Sequence, residues 1–309
     1  MHIPNNWPQL MWPGLKARFQ FNLKEHPDVV ARLFNIQPSS RLVEKTHGIG
    51  NLGLMQPWTG STHYEDFKAG YTPEYNNDAS VAKESLGVEI EKELLLFDQY
   101  NEIKARISNL AESAAYTRQY HGAVLFCRAF DGGYLMPGGD GKPLCSTSHP
   151  TSPDNATTWS NADTNLDLNS DNLEGIRTAM MSWTDDKGKL LMVNPDTLLV
   201  PPALREAALV IAGSDGKPDI ADNNINIWKG KITVIEWQLL TTAYGLPAQK
   251  TWFVMDSTRR KRFLRWFDVR KNEFDDYIEF DSEVAKYRVI SHASRGWDHP
   301  SFIYGCYKS

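Results

Sequence analysis

Two patterns of apolar positions with different periods follow each other in the first half of the chain. Between Leu86 and Glu91, apolar residues alternate with Gly and Glu, which is the two-residue repeat of a strand with one buried face. From residue 99 to residue 121, apolar positions recur every three or four residues, with no Gly or Pro between them. This spacing predicts one amphipathic helix of about six turns, roughly 30 Å long, which could serve as the backbone of a domain.

Shorter elements of both kinds follow in the second half. A helix is predicted from Ser170, with Asp171 as its cap, and another opens after Pro201 and Pro202 and ends at Gly213. Five stretches have the composition of strands: 190–193, 231–240, 251–255, 287–291 and 302–306. Because helices and strands mix without a regular strand–helix–strand alternation, the pattern predicts the α+β class.

The first 85 residues differ from the rest. Residues 1–45 carry five prolines and the tryptophans Trp7 and Trp12, and only residues 28–35 have a short helical pattern. Such an arm either lies on another molecule or straps its own domain, and the sequence leaves both interpretations open. The stretch from residue 46 to 77 is rich in Gly, Thr, Tyr and Asn with weak periodicity, which is typical of an extended hairpin or a functional loop.

Composition narrows the function classes. The 309 residues carry 33 basic and 38 acidic side chains, a net charge of −5, which disfavours a dedicated nucleic-acid-binding protein. The three cysteines form no Cys-x-x-Cys pair, so we expect a reducing compartment and neither disulfides nor a closed zinc site. No apolar run is long enough to cross a bilayer and the N-terminus lacks a signal-peptide pattern, so we expect no membrane association.

No motif identifies a catalytic or cofactor site. Residues 48–53 match G-x-G-x-x-G, but no strand precedes them and no helix follows, so no cofactor is expected. Cys145 and His149, with His121 and Cys127 upstream, have no metal-ligand spacing. Motifs for a nucleophile with its base are also missing, so we expect no catalytic residues and a protein that is not an enzyme.

A polar segment has part of the spacing of a calcium loop. The candidate calcium ligands fall at positions 1, 3, 5 and 12 of that template, but Leu168 occupies position 6, where the template needs Gly. A solvated loop that ends in a helix cap explains the same residues. The candidates are Asp163, Asn165, Asp167 and Glu174.

One dense basic stretch stands out in this acidic chain. It could face DNA, steer assembly by electrostatic attraction to an acidic patch, or simply be solvated. Its members are Arg259, Arg260, Lys261 and Arg262.

The order of these parts resembles the major capsid proteins of tailed bacteriophages, most closely the Mu-like major head subunit branch. The resemblance covers residues 46–309 and rests on a few ordered stretches, namely the strand at 86–90, the long helix, and the segments 122–126, 140–150, 168–170, 193–196, 199–208, 234–235 and 251–256. It implies the Hong Kong 97-type capsid fold, with the following divisions: N-terminal arm 1–45, extended loop 46–85, peripheral domain 86–185 with a spine helix at about 99–126, axial domain 186–255, and a return to the peripheral domain at 256–309.

The resemblance also implies a function. The chain would assemble as hexamers and pentamers into the icosahedral or prolate head of a tailed phage, built in the host cytoplasm and enclosing double-stranded DNA contacted non-specifically. Portal and scaffolding proteins, and a decoration protein, would be partners. Aromatic residues of the arm and loop would then be inter-subunit contacts: Trp7, Trp12, Trp58, Tyr64, Phe67, Tyr71 and Tyr75. The alternatives are a nanocompartment shell of the same fold that packages an enzyme, and a two-domain hydrolase with a lid at 46–85.

Overall fold

The computed structural model describes residues 7–49, 73–97, 100–153, 155–216, 225–279 and 284–308. Helices and strands mix in this part of the chain, so the predicted α+β class is confirmed. The helices are α1 (Trp7–Glu25), α2 (Val29–Leu33), α3 (Lys92–Leu96), α4 (Tyr100–Cys127), α5 (Ser170–Met181), α6 (Arg205–Gly213) and α7 (Ser257–Phe263). The strands are β1 (Asn35–Pro38), β2 (Val43–Ile49), β3 (Pro73–Ser80), β4 (Ala82–Glu91), β5 (His149–Ser152), β6 (Asn155–Trp159), β7 (Ala162–Asp163), β8 (Thr197–Val200), β9 (Thr233–Glu236), β10 (Trp252–Met255), β11 (Leu264–Glu279), β12 (Val284–Trp297) and β13 (Ile303–Cys306).

A four-stranded sheet, in the order β1-β11-β12-β4, packs against α1 and the 28-residue helix α4. On β12 the buried residues Ala285, Tyr287 and Val289 alternate with less buried ones, so one face of this strand meets the helices. On α4, Ile103 and Ile107 are fully buried one turn apart, which is the helical stripe that the sequence predicts. The predicted long helix is therefore present, from Tyr100 to Cys127.

A five-stranded sheet, in the order β7-β13-β10-β8-β9, forms the second half of the molecule. All four residues of β8 are buried because both faces of the sheet are covered. Leu198 lies in the cluster with residues of α5 and α6, whereas its neighbour Leu199 lies in the cluster with Phe126 near the end of α4. The end of α4 therefore lies in a hydrophobic cluster that contains residues of both sheets, such as Leu199 and Trp266.

An antiparallel hairpin of β2 and β3 forms a separate two-stranded sheet, and β3 is followed along the chain by β4, an edge strand of the four-stranded sheet. Its pairing runs from Val43 opposite Ser80 to Ile49 opposite Pro73. Residues 50–72, which connect the two strands, lie outside the described residues. The extended loop predicted at 46–85 therefore starts within β2 and ends within β4.

Several predicted elements are corrected by the structure. Residues 1–45 contain the 19-residue helix α1, which continues through Pro13, in addition to α2 near the predicted short helix. The cap of α5 is Asn169, whose side chain accepts from the backbone N–H of Asn172 at 2.7 Å, rather than Asp171.

The strand predicted at 190–193 is absent. Met192 has a φ of 51°, in the left-handed region, which interrupts an extended run at that point. Only an isolated bridge between Thr184 and Leu190 marks this segment. Among the helices of the described residues, none is both long enough and apolar enough to span a membrane.

Candidate assembly surfaces and the base of the extended loop

The predicted contact residue Trp12 has a binding site on its own chain. Its ring stacks on Phe274 of β11, with centroids 4.9 Å apart and planes 3° apart, and lies 6.3 Å from the ring of Tyr287. Further along α1, Leu15 and Phe19 are fully buried against the same cluster. Of the two interpretations that the sequence leaves open for the arm, α1 fits the strap on its own domain, because β11 and α4 supply the surface that buries its large side chains.

The other predicted aromatic contacts are placed only in part. The side chain of Trp7, and all of Trp58, Tyr64, Phe67 and Tyr71, lie outside the described residues. Tyr75 is partly buried near the start of β3, where it lines a small cavity with Asn77 and Asp140. A role of these residues between subunits stays a prediction.

Polar contacts fix the base of the β2–β3 hairpin, and Asp298 is at their centre. Its Oδ1 accepts from the Thr46 hydroxyl at 2.6 Å, and its backbone carbonyl accepts from Asn77 Nδ2 at 2.7 Å. Its Oδ2 lies 2.5 Å from Arg265 Nε. Burial raises the pKa of Asp298, whereas the bond from Thr46 and the charge of Arg265 oppose that rise.

A glycine turn lies directly against the hairpin. The backbone N–H of Asp78 donates to the carbonyl of Pro137 at 2.9 Å. Gly138 has a φ of 78°, and a Cβ added there would lie 2.4 Å from the carbonyl oxygen of Asn76. The turn at 137–139 can approach β3 this closely because Gly138 has no side chain.

The basic stretch is divided between the interior and the surface. Arg260 is 4% exposed and donates from Nη2 to the carbonyl of Arg32 at 3.1 Å. Burial lowers its pKa, and the carboxylates of Asp196 and Asp256 oppose this effect. Arg260 therefore holds the fold together and is unavailable as a surface cation, which corrects the prediction for this residue.

Its neighbour Arg259 is also engaged in hydrogen bonds within the protein. This side chain donates to the carbonyl of Leu191 at 3.0 Å and to the Ser301 hydroxyl at 2.7 Å. Only Lys261 and Arg262 of the predicted set are exposed. A DNA-facing or assembly role can thus rest on these two cations alone.

The structure does not bring the calcium candidates together. Asp163 accepts from the backbone of Asn165 at 3.0 Å, and Asp167 pairs with Lys308. Glu174 pairs with Arg177 of its own helix at 3.1 Å. In the part of the chain that the structure describes, no three His, Cys, Asp or Glu side chains form a potential metal site, so the structure gives the calcium candidates no support.

A buried polar cluster near the hairpin has no signature in the sequence. His149 is fully buried, with Nδ1 2.5 Å from Asp140 Oδ2 and Nε2 3.1 Å from Asn161 Oδ1. The three residues are 9 and 12 positions apart, in segments that look like ordinary polar loops. A buried histidine could not be recognised without knowing which side chains surround it.

An apolar surface patch is present on the outer side of α6. Leu209 and Val210 are 48% and 44% exposed, and they line a shallow groove of about 640 Å³ with Pro202 and Ser214. Both residues belong to the range predicted as the axial domain. Neighbouring exposed apolar side chains on one helix make this groove a candidate contact surface, since monomeric soluble proteins rarely expose large apolar patches.

Comparison with solved structures identifies the class of fold. The capsid of bacteriophage JBD30 is similar with a TM-score of 0.56 and 13% identity, over 70% of this chain and 92% of that chain. A procapsid of the same phage is similar with a TM-score of 0.55 and 12% identity, over 99% of this chain and 77% of that chain. The capsid of cyanophage P-SCSP1u is similar with a TM-score of 0.54 and 11% identity, over 90% of this chain and 86% of that chain. The chain thus has the α+β fold of tailed-phage capsid subunits.

The sequence itself gives the family. Residues 75–304, well over half of the chain, match a family model described as phage capsid protein, and the chain belongs to that family. A sequence search of curated proteins returned no match. The chain is a major capsid protein, a structural component of the virion that self-assembles into shells, and the hydrolase interpretation is wrong. Its place in the Mu-like branch stays a prediction.

Proposed function

We propose that this major capsid protein assembles as hexamers and pentamers, with residues 186–255 as the axial domain around each ring's axis. The shell would be the icosahedral or prolate head of a tailed phage, assembled in the cytoplasm of the bacterial host around double-stranded DNA. The observation that carries the ring proposal is the exposed apolar face of α6.

The chemistry of that face fits a contact between copies. Leu209 and Val210 point away from the five-stranded sheet's core, while Ala208 and Ile211 of the same helix are buried in it. At the rim of the groove, Arg205 pairs with Glu236 at 3.0 Å and so keeps its charge neutralised beside the apolar surface. An apolar centre with a polar rim is the usual anatomy of an interface, and rotational symmetry repeats such a contact around a ring.

The remaining divisions and partners belong to the same proposal. Residues 1–45 would be the N-terminal arm, 46–85 the extended loop, and 86–185 with 256–309 the peripheral domain. The JBD30 capsid occurs decorated with minor capsid protein trimers. We propose a decoration protein here as well, together with portal and scaffolding partners. The exposed cations Lys261 and Arg262 would contact packaged DNA weakly and without sequence preference.

The test of the ring proposal is substitution on α6. Val210→Lys places a charge in the proposed contact, and we expect folded subunits that no longer form closed shells in negative-stain electron microscopy. Ser182→Lys, at an exposed position outside the groove, adds the same charge and should leave shells intact. Normal shells from Val210→Lys would overturn the ring proposal. Wild-type particles that contain a packaged enzyme rather than DNA would favour the nanocompartment alternative.

A further inference from the structure

His149 uses both of its ring nitrogens inside the protein. Nδ1 lies 2.5 Å from a carboxylate oxygen of Asp140, and Nε2 lies 3.1 Å from the side-chain oxygen of Asn161. A neutral imidazole has one donor and one acceptor, whereas an imidazolium has two donors. The charge of His149 therefore follows from which atoms face it.

The orientation of Asn161 is fixed by its other partners. Its Oδ1 accepts from the backbone N–H of Ser146 at 2.8 Å, and its Nδ2 donates to the carbonyls of Leu144 and Pro300 at 2.9 and 3.5 Å. A flipped amide would point its NH₂ group at an N–H and its oxygen at two carbonyls. Oxygen therefore faces His149, and Nε2 must donate.

The orientation of Asp140 leads to the same requirement at the other nitrogen. Its second oxygen, Oδ1, accepts from the backbone N–H of Lys142 at 3.0 Å. An ionised carboxylate has only acceptors, so Nδ1 of His149 must donate to Oδ2. We infer that His149 is a buried imidazolium paired with Asp140, and that this ion pair is a structural latch for the base of the extended loop.

The surroundings of His149 support a positive charge. The Trp159 ring covers it at 5.0 Å and 29°, a geometry in which the electron-rich face of the indole stabilises a cation. The ring of His299 also stacks with Trp159, with centroids 5.8 Å apart. Burial, with help from Arg259, lowers the pKa of His299 to about 4, so that ring is neutral near pH 7.

The charged groups around this stack come from three elements. Asp140 lies on the turn before β5, and Arg259 and Arg262 lie on α7, where both act on His299. Asp298, at the end of β12, lines the small cavity beside Asp140. Among these groups, the carboxylate in hydrogen-bond contact with His149 is that of Asp140.

The turn that precedes Asp140 connects the ion pair to the hairpin. Asp140 follows the turn whose Pro137 carbonyl accepts from Asp78 of β3, and a cavity of about 20 Å³ separates Asp140 from Tyr75 and Asn77. If His149 loses a proton, it can keep the bond to Asp140 only by turning a lone pair of Nε2 toward the oxygen of Asn161. The contacts of His149 are therefore satisfied only while both of its ring nitrogens carry a proton.

The charge state can be measured without reference to assembly. The full-length chain, labelled with ¹⁵N and ¹³C and sedimented, is studied by magic-angle-spinning NMR at pH 7, and His149 is assigned through Ser148 and Pro150. We expect both ring nitrogens of His149 to be protonated, and one of the two in His299. An unprotonated Nδ1 or Nε2 in His149 would overturn the inference.

Hydrogen exchange tests whether the ion pair stabilises the base of the hairpin. Asp140→Asn removes the carboxylate, and we expect the Asp78 amide, which bonds Pro137, to exchange about tenfold faster than in the wild type. Asp276→Asn, at an exposed position of β11, removes the same charge and should leave this amide unchanged. Equal protection in Asp140→Asn and wild type would refute the latch.

Only the consequence for shells rests on the proposed function. If the latch sets the loop's attachment, Asp140→Asn shells should be fewer or misshapen in electron micrographs, whereas Asp276→Asn shells should be normal. Normal Asp140→Asn shells together with fast Asp78 exchange would leave the latch in place and contradict its role in assembly. The two failures are thus distinguishable.

Discussion

The five-stranded sheet and the base of the β2–β3 hairpin are held together by different forces. Phe253 and Leu199 of the sheet are fully buried, and the ring of Phe253 meets that of Phe126 edge-on with centroids 5.8 Å apart. At the hairpin base, by contrast, Asp298 and the Pro137 carbonyl are joined to β2 and β3 by a few hydrogen bonds.

This difference makes the five-stranded sheet tolerant of small changes in protonation and the hairpin base sensitive to the loss of single groups. Apolar burial is spread over many contacts and does not depend on the protonation of single groups, so the five-stranded sheet provides a rigid body. The hairpin base depends on single polar groups whose loss has a local effect, because each buried polar atom needs its partner. Substitutions at the hairpin base should therefore have local effects, whereas substitutions in the sheet core should affect the whole fold.

The largest effect is expected in the sheet. Phe253→Ala leaves a cavity between the sheet and the end of α4, and we expect the free energy of unfolding to fall by about 4 kcal/mol. Urea denaturation followed by tryptophan fluorescence measures the loss. Tyr277→Ala, at a side chain 64% exposed on β11, should change stability by less than about 0.5 kcal/mol. Equal losses in the two variants would contradict the assignment of stability to the sheet core.

A smaller and local effect is expected at the hairpin base. Gly138→Ala introduces a methyl group 2.4 Å from the Asn76 carbonyl oxygen at a left-handed φ, so we expect a loss of about 3 kcal/mol. The matched control is Gly141→Ala, where φ is 71° but nothing lies within 4 Å of the added carbon. Backbone strain alone should then cost about 1 kcal/mol. Thermal denaturation compares the variants, and a Gly141→Ala loss as large as that of Gly138→Ala would argue against close contact with β3.

The smallest effect concerns access to the core. Burial raises the pKa of Cys127 to about 11, and it also raises the pKa of Cys145 and Cys306. A raised thiol pKa means that at pH 8 only about one Cys127 in a thousand is a reactive thiolate. We therefore expect negligible labelling by a thiol reagent in the native chain and all three thiols to react in urea. Rapid native labelling would show that the core opens as readily as the periphery.

The sequence predicted elements whose own period is regular. The helix α4 and the strand β4 were recognisable because their apolar positions recur at fixed spacing along one continuous face. The capsid family and its fold class also followed from the order of such segments, and both are confirmed.

The missed elements have irregular patterns for physical reasons. In α1, Pro13 looks like a break, but the helix continues through it because Leu15 and Phe19 dock on α4 and β11. In β11, the register to β12 shifts between Asp268 and Arg270 and again before Glu273, so no simple alternation runs along the strand.

The predicted sites were less accessible to sequence reasoning than the fold. A cluster of basic residues in the sequence does not show which of them are exposed. Only the packing of α7 shows that Arg260 is buried and Arg262 is exposed. The spacing of acidic residues at 163–174 likewise does not show that Lys308 and Arg177 already pair with two of them.

The sequence by itself determined the class of fold and the long helix, because periodicity is a property of neighbouring positions, and the resemblance of its ordered segments to phage capsid proteins indicated the family. Tertiary structure alone decided the docking of α1, the interior role of Arg259 and Arg260, and the His149–Asp140 pair. These features depend on contacts between residues far apart along the chain, and the charge of a buried side chain is set by the atoms that surround it.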